Sequence, residues 1–148
     1  MKILSKVLLL LFIGLTISCD DDKCEELICN SGPASFELEL VDSETGENLF
    51  TNGTFEESDL QLNQTEGNNI GDWDFLSEND INLIRISTFN DIAYSVKVSN
   101  EEIFQIAIEA ESITVDCCSS VRVDDFQVTG ADFEQVAETG VYRVSLEL

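Results

Sequence analysis

An all-β protein, built as a single antiparallel β-sandwich over residues 34–148, is what this sequence predicts. Three observations carry the expectation. Apolar residues recur with a period of two in most segments, and turn-forming residues fall between those segments. The two stretches that could turn helically are also too short to anchor a helical core.

Taken in order, Phe36, Leu38 and Leu40 alternate with Ser35, Glu37 and Glu39, which puts the apolar set on one face of a half-buried strand. Asp42-Ser43-Glu44-Thr45-Gly46 and Asn52-Gly53 then read as turns. The polar stretch from Asn63 to Asp74, with a turn at Glu66-Gly67-Asn68-Asn69, is the least regular part and is expected to be a functional loop. Asp72 to Asn79 reads as one helical turn around Trp73 and Phe75. Tyr94, Val96 and Val98 form the next alternating run, followed by a turn at Ser99-Asn100 and a strand through Phe104, Ile106 and Ile108. Between Val121/Val123 and Phe126/Val128 the apolar phase slips, so Asp124-Asp125 is expected to be a bulge or a short corner. Thr129-Gly130 is a turn, Ala131 to Glu138 a second helical turn, and Tyr142, Val144, Leu146 and Leu148 a closing strand.

Residues 1–18 read as a signal peptide. Lys2 and Lys6 supply a positive n-region, and Val7 to Ile17 an apolar stretch of eleven residues. Crossing a hydrocarbon core of ~30 Å takes about 20 apolar residues, so the stretch is too short to span. Ser18 then gives a small residue immediately before Cys19. Leu15 to Cys19 resembles the lipobox of bacterial lipoproteins, with Thr16 where leucine is more usual. The resemblance implies cleavage before Cys19 and attachment of fatty acyl chains, palmitate among them, at that residue. Residues 19–33 would then be a lipidated, acidic tether. Its run Asp20-Asp21-Asp22-Lys23-Cys24-Glu25-Glu26 resembles the export tether of surface-exposed lipoproteins in Gram-negative bacteria, which implies an outer-membrane, cell-surface location. As a plain physical object the run is a solvated spacer that extends by self-repulsion.

Without residues 1–18 the chain keeps five basic and thirty acidic side chains, a formal charge of −25. A field of that sign repels phosphate backbones, so nucleic acid and anionic lipid are excluded as partners. Solubility accounts for the acidity more readily than specific recognition does. The 130 residues that follow the signal suit one domain with one core. Phe36 to Phe50, a strand, a turn ending in Thr45-Gly46 and a second apolar segment, resembles the opening hairpin of immunoglobulin-like and prealbumin-like sandwich modules. It implies a fold type and no function.

With Cys19 assigned to lipid, the chain has four cysteines left: Cys24, Cys29, Cys117 and Cys118. In an exported protein they are expected as disulfides. Adjacent residues on a strand point to opposite faces, so the economical arrangement joins Cys117 and Cys118 separately to Cys24 and Cys29. Each bond would close a loop of roughly 90 residues, worth about 4 kcal/mol in the chain-entropy model. A Cys24–Cys29 bridge beside a vicinal Cys117–Cys118 bridge is the alternative. Zinc is disfavoured, since the spacing does not match paired knuckles.

The chain has no histidine, which removes Ser-His-Asp, Cys-His and histidine-ligated metal chemistry together. Hard oxygen ligands at Asn68, Asn69, Asp72 and Asp74 are the only candidates for a cation, which would be calcium, although the Asp-x-Asp-x-Asp-Gly pattern is missing. No other cofactor is expected. Asp72, Asp74, Glu78 and Asp80 near Trp73 are the one cluster from which a carboxylate-dependent glycan hydrolase could be built. The expectation is a non-enzymatic binding module anchored to the membrane by its lipid, with a protein or glycan partner. An accessory subunit of an outer-membrane complex is the alternative.

Overall fold

The computed structural model describes residues 28–29, 31–67, 71–78, 81–115 and 117–148. The signal peptide, Cys19, Cys24 and the acidic run, together with Asn68, Asn69 and Asp80, lie outside the described residues. In chain order the strands are β1 (Ala34–Asp42), β2 (Leu60–Glu66), β3 (Asp72–Glu78), β4 (Ile81–Thr88), β5 (Ile92–Val98), β6 (Glu101–Val115), β7 (Cys118–Thr129), β8 (Asp132–Gln135) and β9 (Tyr142–Leu146). A 3-10 turn, Glu57–Asp59, leads into β2.

The fold is all-β, with two sheets. One has five strands in the order β3-β4-β1-β9-β8, the other four in the order β2-β5-β6-β7. Neighbouring strands pair antiparallel except β1 and β9, which run parallel. Alternation explains the layering. Phe36, Leu38 and Leu40 of β1, Ile84 and Ile86 of β4 and Val144 of β9 join Tyr94, Val96, Phe104, Ile106 and Ile108 of the second sheet in one buried cluster. Each such side chain contributes about 1.5–3 kcal/mol by leaving water, so the shared core is what makes two sheets one sandwich-like body.

The outer face of the five-stranded sheet is held by alternating charge. Arg85 lies opposite Glu37 on β1 and Asp74 on β3, and Arg143 lies opposite Glu39 on β1 and Glu134 on β8. The Arg85–Glu37 and Arg143–Glu39 pairs close at 2.7 and 3.2 Å. Being partly exposed, each is worth at most about 1 kcal/mol; their sign order fixes register more than stability.

Several expectations need correction. Asp72 to Asn79 is not a helical turn. Its first seven residues are β3, because Trp73 and Phe75 turn toward the core while Asp72 and Asp74 stay exposed, a period of two. Ala131 to Glu138 contains β8, which pairs with β9 through Phe133 and Val144. The stretch from Asn63 to Asp74 is mostly strand at both ends, with β2 reaching Glu66 and β3 starting at Asp72. The opening hairpin forms but is short: Asp42 Oδ1 accepts from the amides of Glu44 and Thr45, the Asp42 amide donates to the Glu47 carbonyl and the Leu49 amide to the Leu40 carbonyl, around a single bridge between Val41 and Asn48. β4 pairs with β1 only from Ala34 to Leu38, which leaves the edge beyond Leu38 to this short return. The Asp124 bulge does occur: Glu109 pairs with Asp125 and Ala110 with Val123, leaving Asp124 as the extra residue.

Candidate functional site

Three irregularities meet at one end of the four-stranded sheet. The Asp124 bulge bends β7 away from β6. A register shift between Gln64 and Glu66 does the same to β2. Between β4 and β5, Asp91 Oδ1 accepts a hydrogen bond from the Ala110 amide at 2.8 Å, which holds residues 89–91 against β6. Gly67 is required here: its φ is +103°, and a Cβ would lie 2.8 Å from the Asp91 carbonyl oxygen.

Between these features lies a cleft of about 710 Å³. Ala93 and Ala107, directly opposite each other on β5 and β6, form part of its lining, and no long side chain rises from either. Glu66, Asp91, Glu109, Glu111 and Asp124 supply its carboxylates. Arg122 binds two of them, Glu111 at 2.8 Å and Asp124 at 2.9 Å. Asp124, then Glu111, raises the guanidinium above its ordinary value, so it stays cationic at any working pH. Glu66, Asp91 and Glu109 have no ion-pair partner among the described residues. A site of this kind attracts cationic groups.

A second polar cluster sits nearer the other end of the same sheet. Ser95, buried between β2 and β6, donates its hydroxyl hydrogen to Glu102, and the Gln105 amide donates to the same carboxylate at 2.8 Å. The Ser95 bond, the Gln105 bond and the Lys97 charge hold the Glu102 carboxyl below its usual value. A carboxylate stabilised in its ionised form is the opposite of a general acid.

The residues singled out by sequence are placed as follows. Asp72 and Asp74 are exposed on β3, with Asp74 opposite Arg85, while the intervening Trp73 is half-buried against the core. The strand therefore directs the tryptophan and these two carboxylates to opposite faces. Among the described residues no group of three or more His, Cys, Asp or Glu is arranged to hold a metal ion. Close by, Tyr94 is 2 % exposed, and its hydroxyl has no hydrogen-bond partner among the described residues. Burial, then the Asp72 charge, raises that phenol above its ordinary value.

Cys29 is bonded to Cys118, 89 residues later, which sets aside the vicinal Cys117–Cys118 arrangement. Cys117 is disulfide-bonded too. The reason the neighbours diverge is not the strand pleat. Val115 pairs with Cys118, so Cys117 is a turn residue, with φ of +73°. Ser31 Oγ also donates to the Ser119 carbonyl at 2.6 Å, fastening the segment after Cys29 along β7.

Sequence reasoning missed the cleft, although two signals bear on it: the phase slip at Asp124 and the small residues Ala93 and Ala107 inside otherwise bulky alternating runs. No protein-family model, curated protein or solved structure matches this chain significantly.

Proposed function

We propose that this chain is a lipid-anchored lipoprotein of a bacterial outer membrane, exposed at the cell surface, whose β domain is a binding or interaction module and not an enzyme. The Cys29–Cys118 bond carries this reading. A tether that follows the lipid site and is covalently part of the domain transmits the anchor position to the body instead of leaving it on a free leash. The acid-walled cleft supports a protein or glycan partner bearing cationic groups. An immunoglobulin-like or prealbumin-like sandwich type belongs to the same proposal, and the two-sheet order supports it only as far as the shared core goes.

Metabolic labelling with palmitate tests the anchor: label should enter the wild-type protein and be lost in Cys19→Ser. Crosslinking on intact cells, with affinity recovery and mass spectrometry, tests the role. Near-stoichiometric recovery of one integral outer-membrane protein would make the chain an accessory subunit. Competition by soluble polycations for the recovered partner would support the cleft as the binding surface.

A further inference from the structure

The β6–β7 hairpin outruns the sandwich. Buried residues alternate along β6 as far as Ala110, and from Glu111 to Val115 only Ile113 is even half-buried. Five residues at about 3.4 Å each give an arm of roughly 17 Å. Arg122 spans its two strands to Glu111, and Cys118 at its tip is bonded to Cys29. The chain is therefore fixed to the domain at the tip of this arm, before it reaches β1. Cys19 is ten residues ahead of Cys29, a reach of at most about 36 Å when fully extended. Cys117, beside Cys118 in the turn, is disulfide-bonded as well.

Two exposed apolar side chains flank the bonded tip: Ile28, next to Cys29, is 99 % exposed, and Val115, paired with Cys118, is 53 % exposed. The turn at Ser99-Asn100, the start of β2 and the C-terminus lie at the opposite end, since β5 and β6 pair from Val98↔Glu101 there to Ile92↔Ile108 near the arm. Resting on the lipid-anchor reading above, we propose that the β6–β7 arm is the membrane-facing end of the domain and that Ile28 and Val115 at its tip dock on the bilayer interface. The occupant is lipid because the chain outside the described residues leads from this tip to the acylated cysteine within ten residues. Carboxylates near the arm disfavour anionic headgroups, so the contact is apolar and suits a zwitterionic surface.

The test uses the full lipidated chain in phosphatidylcholine vesicles. In a Trp73→Phe background, one tryptophan is introduced either by Val115→Trp or, at the far end, by Leu148→Trp. Brominated phosphatidylcholine should quench the first several-fold more than the second. Equal or reversed quenching in protein that floats with the vesicles overturns the orientation and leaves the arm to a protein partner. Failure to float, with no palmitate incorporated, overturns the anchor reading and this proposal with it. Hydrogen exchange on the unmutated chain gives an independent readout: vesicles should protect amides of 111–123 and leave those of 43–59 unchanged, and no protection of the arm would sink the docking.

Discussion

Along β6, Phe104, Ile106, Ile108 and Ala110 are buried, whereas Glu111, Ser112, Thr114 and Val115, in the same ladder with β7, are exposed. The backbone pairing is the same in both halves, but the support is not. In the body the strands are held by side chains removed from water. A two-stranded ribbon standing alone is marginal, so the arm depends on the Cys29–Cys118 bond, the Ser31–Ser119 hydrogen bond and the Arg122 bridge. Hydrogen-bonded pairing sets a shape; burial or cross-linking decides whether it persists.

The comparison breaks most visibly at the cross-links. Replacing Cys29, Cys117 and Cys118 together with serine should cost about 4 to 5 kcal/mol in urea unfolding, because the unfolded chain regains a loop of 89 residues. Cys29→Ser with Cys118→Ser alone should cost less than the triple replacement, since Cys117 stays cross-linked. In both variants amide exchange should rise first in the arm. Phe104→Ala, in the body, should cost roughly 4 kcal/mol, against less than about 0.5 kcal/mol for Val115→Ala in the arm. Similar values for these two substitutions would end the distinction.

Asp91→Ala sits at the junction, and losing its bond to the Ala110 amide should cost about 1 kcal/mol and loosen the arm base in hydrogen exchange. Tyr94→Phe should be neutral or stabilising by up to about 1 kcal/mol, since it removes a buried hydroxyl with no partner among the described residues. Acid should weaken the body through Glu102. Its folded-state carboxyl is held below 4.5, so the stability it contributes is complete above that value and is lost as pH falls through the depressed one. Urea midpoints measured from about pH 6 to about pH 3 should therefore decline, and Ser95→Ala should flatten the decline. Millimolar calcium should leave the melting midpoint unchanged; a rise that is lost in Asp72→Asn with Asp74→Asn would establish a cation site on that segment.

Long alternating runs made much of the body legible in advance. β1, β5, β6, β7 and β9 each contain an alternation that the sequence displays, and the Asp124 bulge follows from a phase slip between two such runs. β3 was misread because Asp72 and Asp74 made a polar stretch look like a loop or a helical turn, while only Trp73 and Phe75 mark the inward face. The Ile84-Arg85-Ile86 alternation in β4 was passed over, although those two isoleucines are among the most buried residues. The cleft was illegible because its residues come from β2, β5, β6, β7 and residues 89–91, which no local pattern connects.

By itself, then, the sequence determined what is local: which residues face inward, where most turns lie, and the even number of cysteines left once Cys19 is set aside. Tertiary structure alone decided which strands become neighbours, that β1 runs parallel to β9, that Cys29 selects Cys118, and that the hairpin continues past the core as an arm. The physical reason is range. Alternation and turn chemistry are settled by residues a few positions apart, whereas strand order and cross-linking depend on burying many distant apolar faces at once, and no short stretch of chain records that sum.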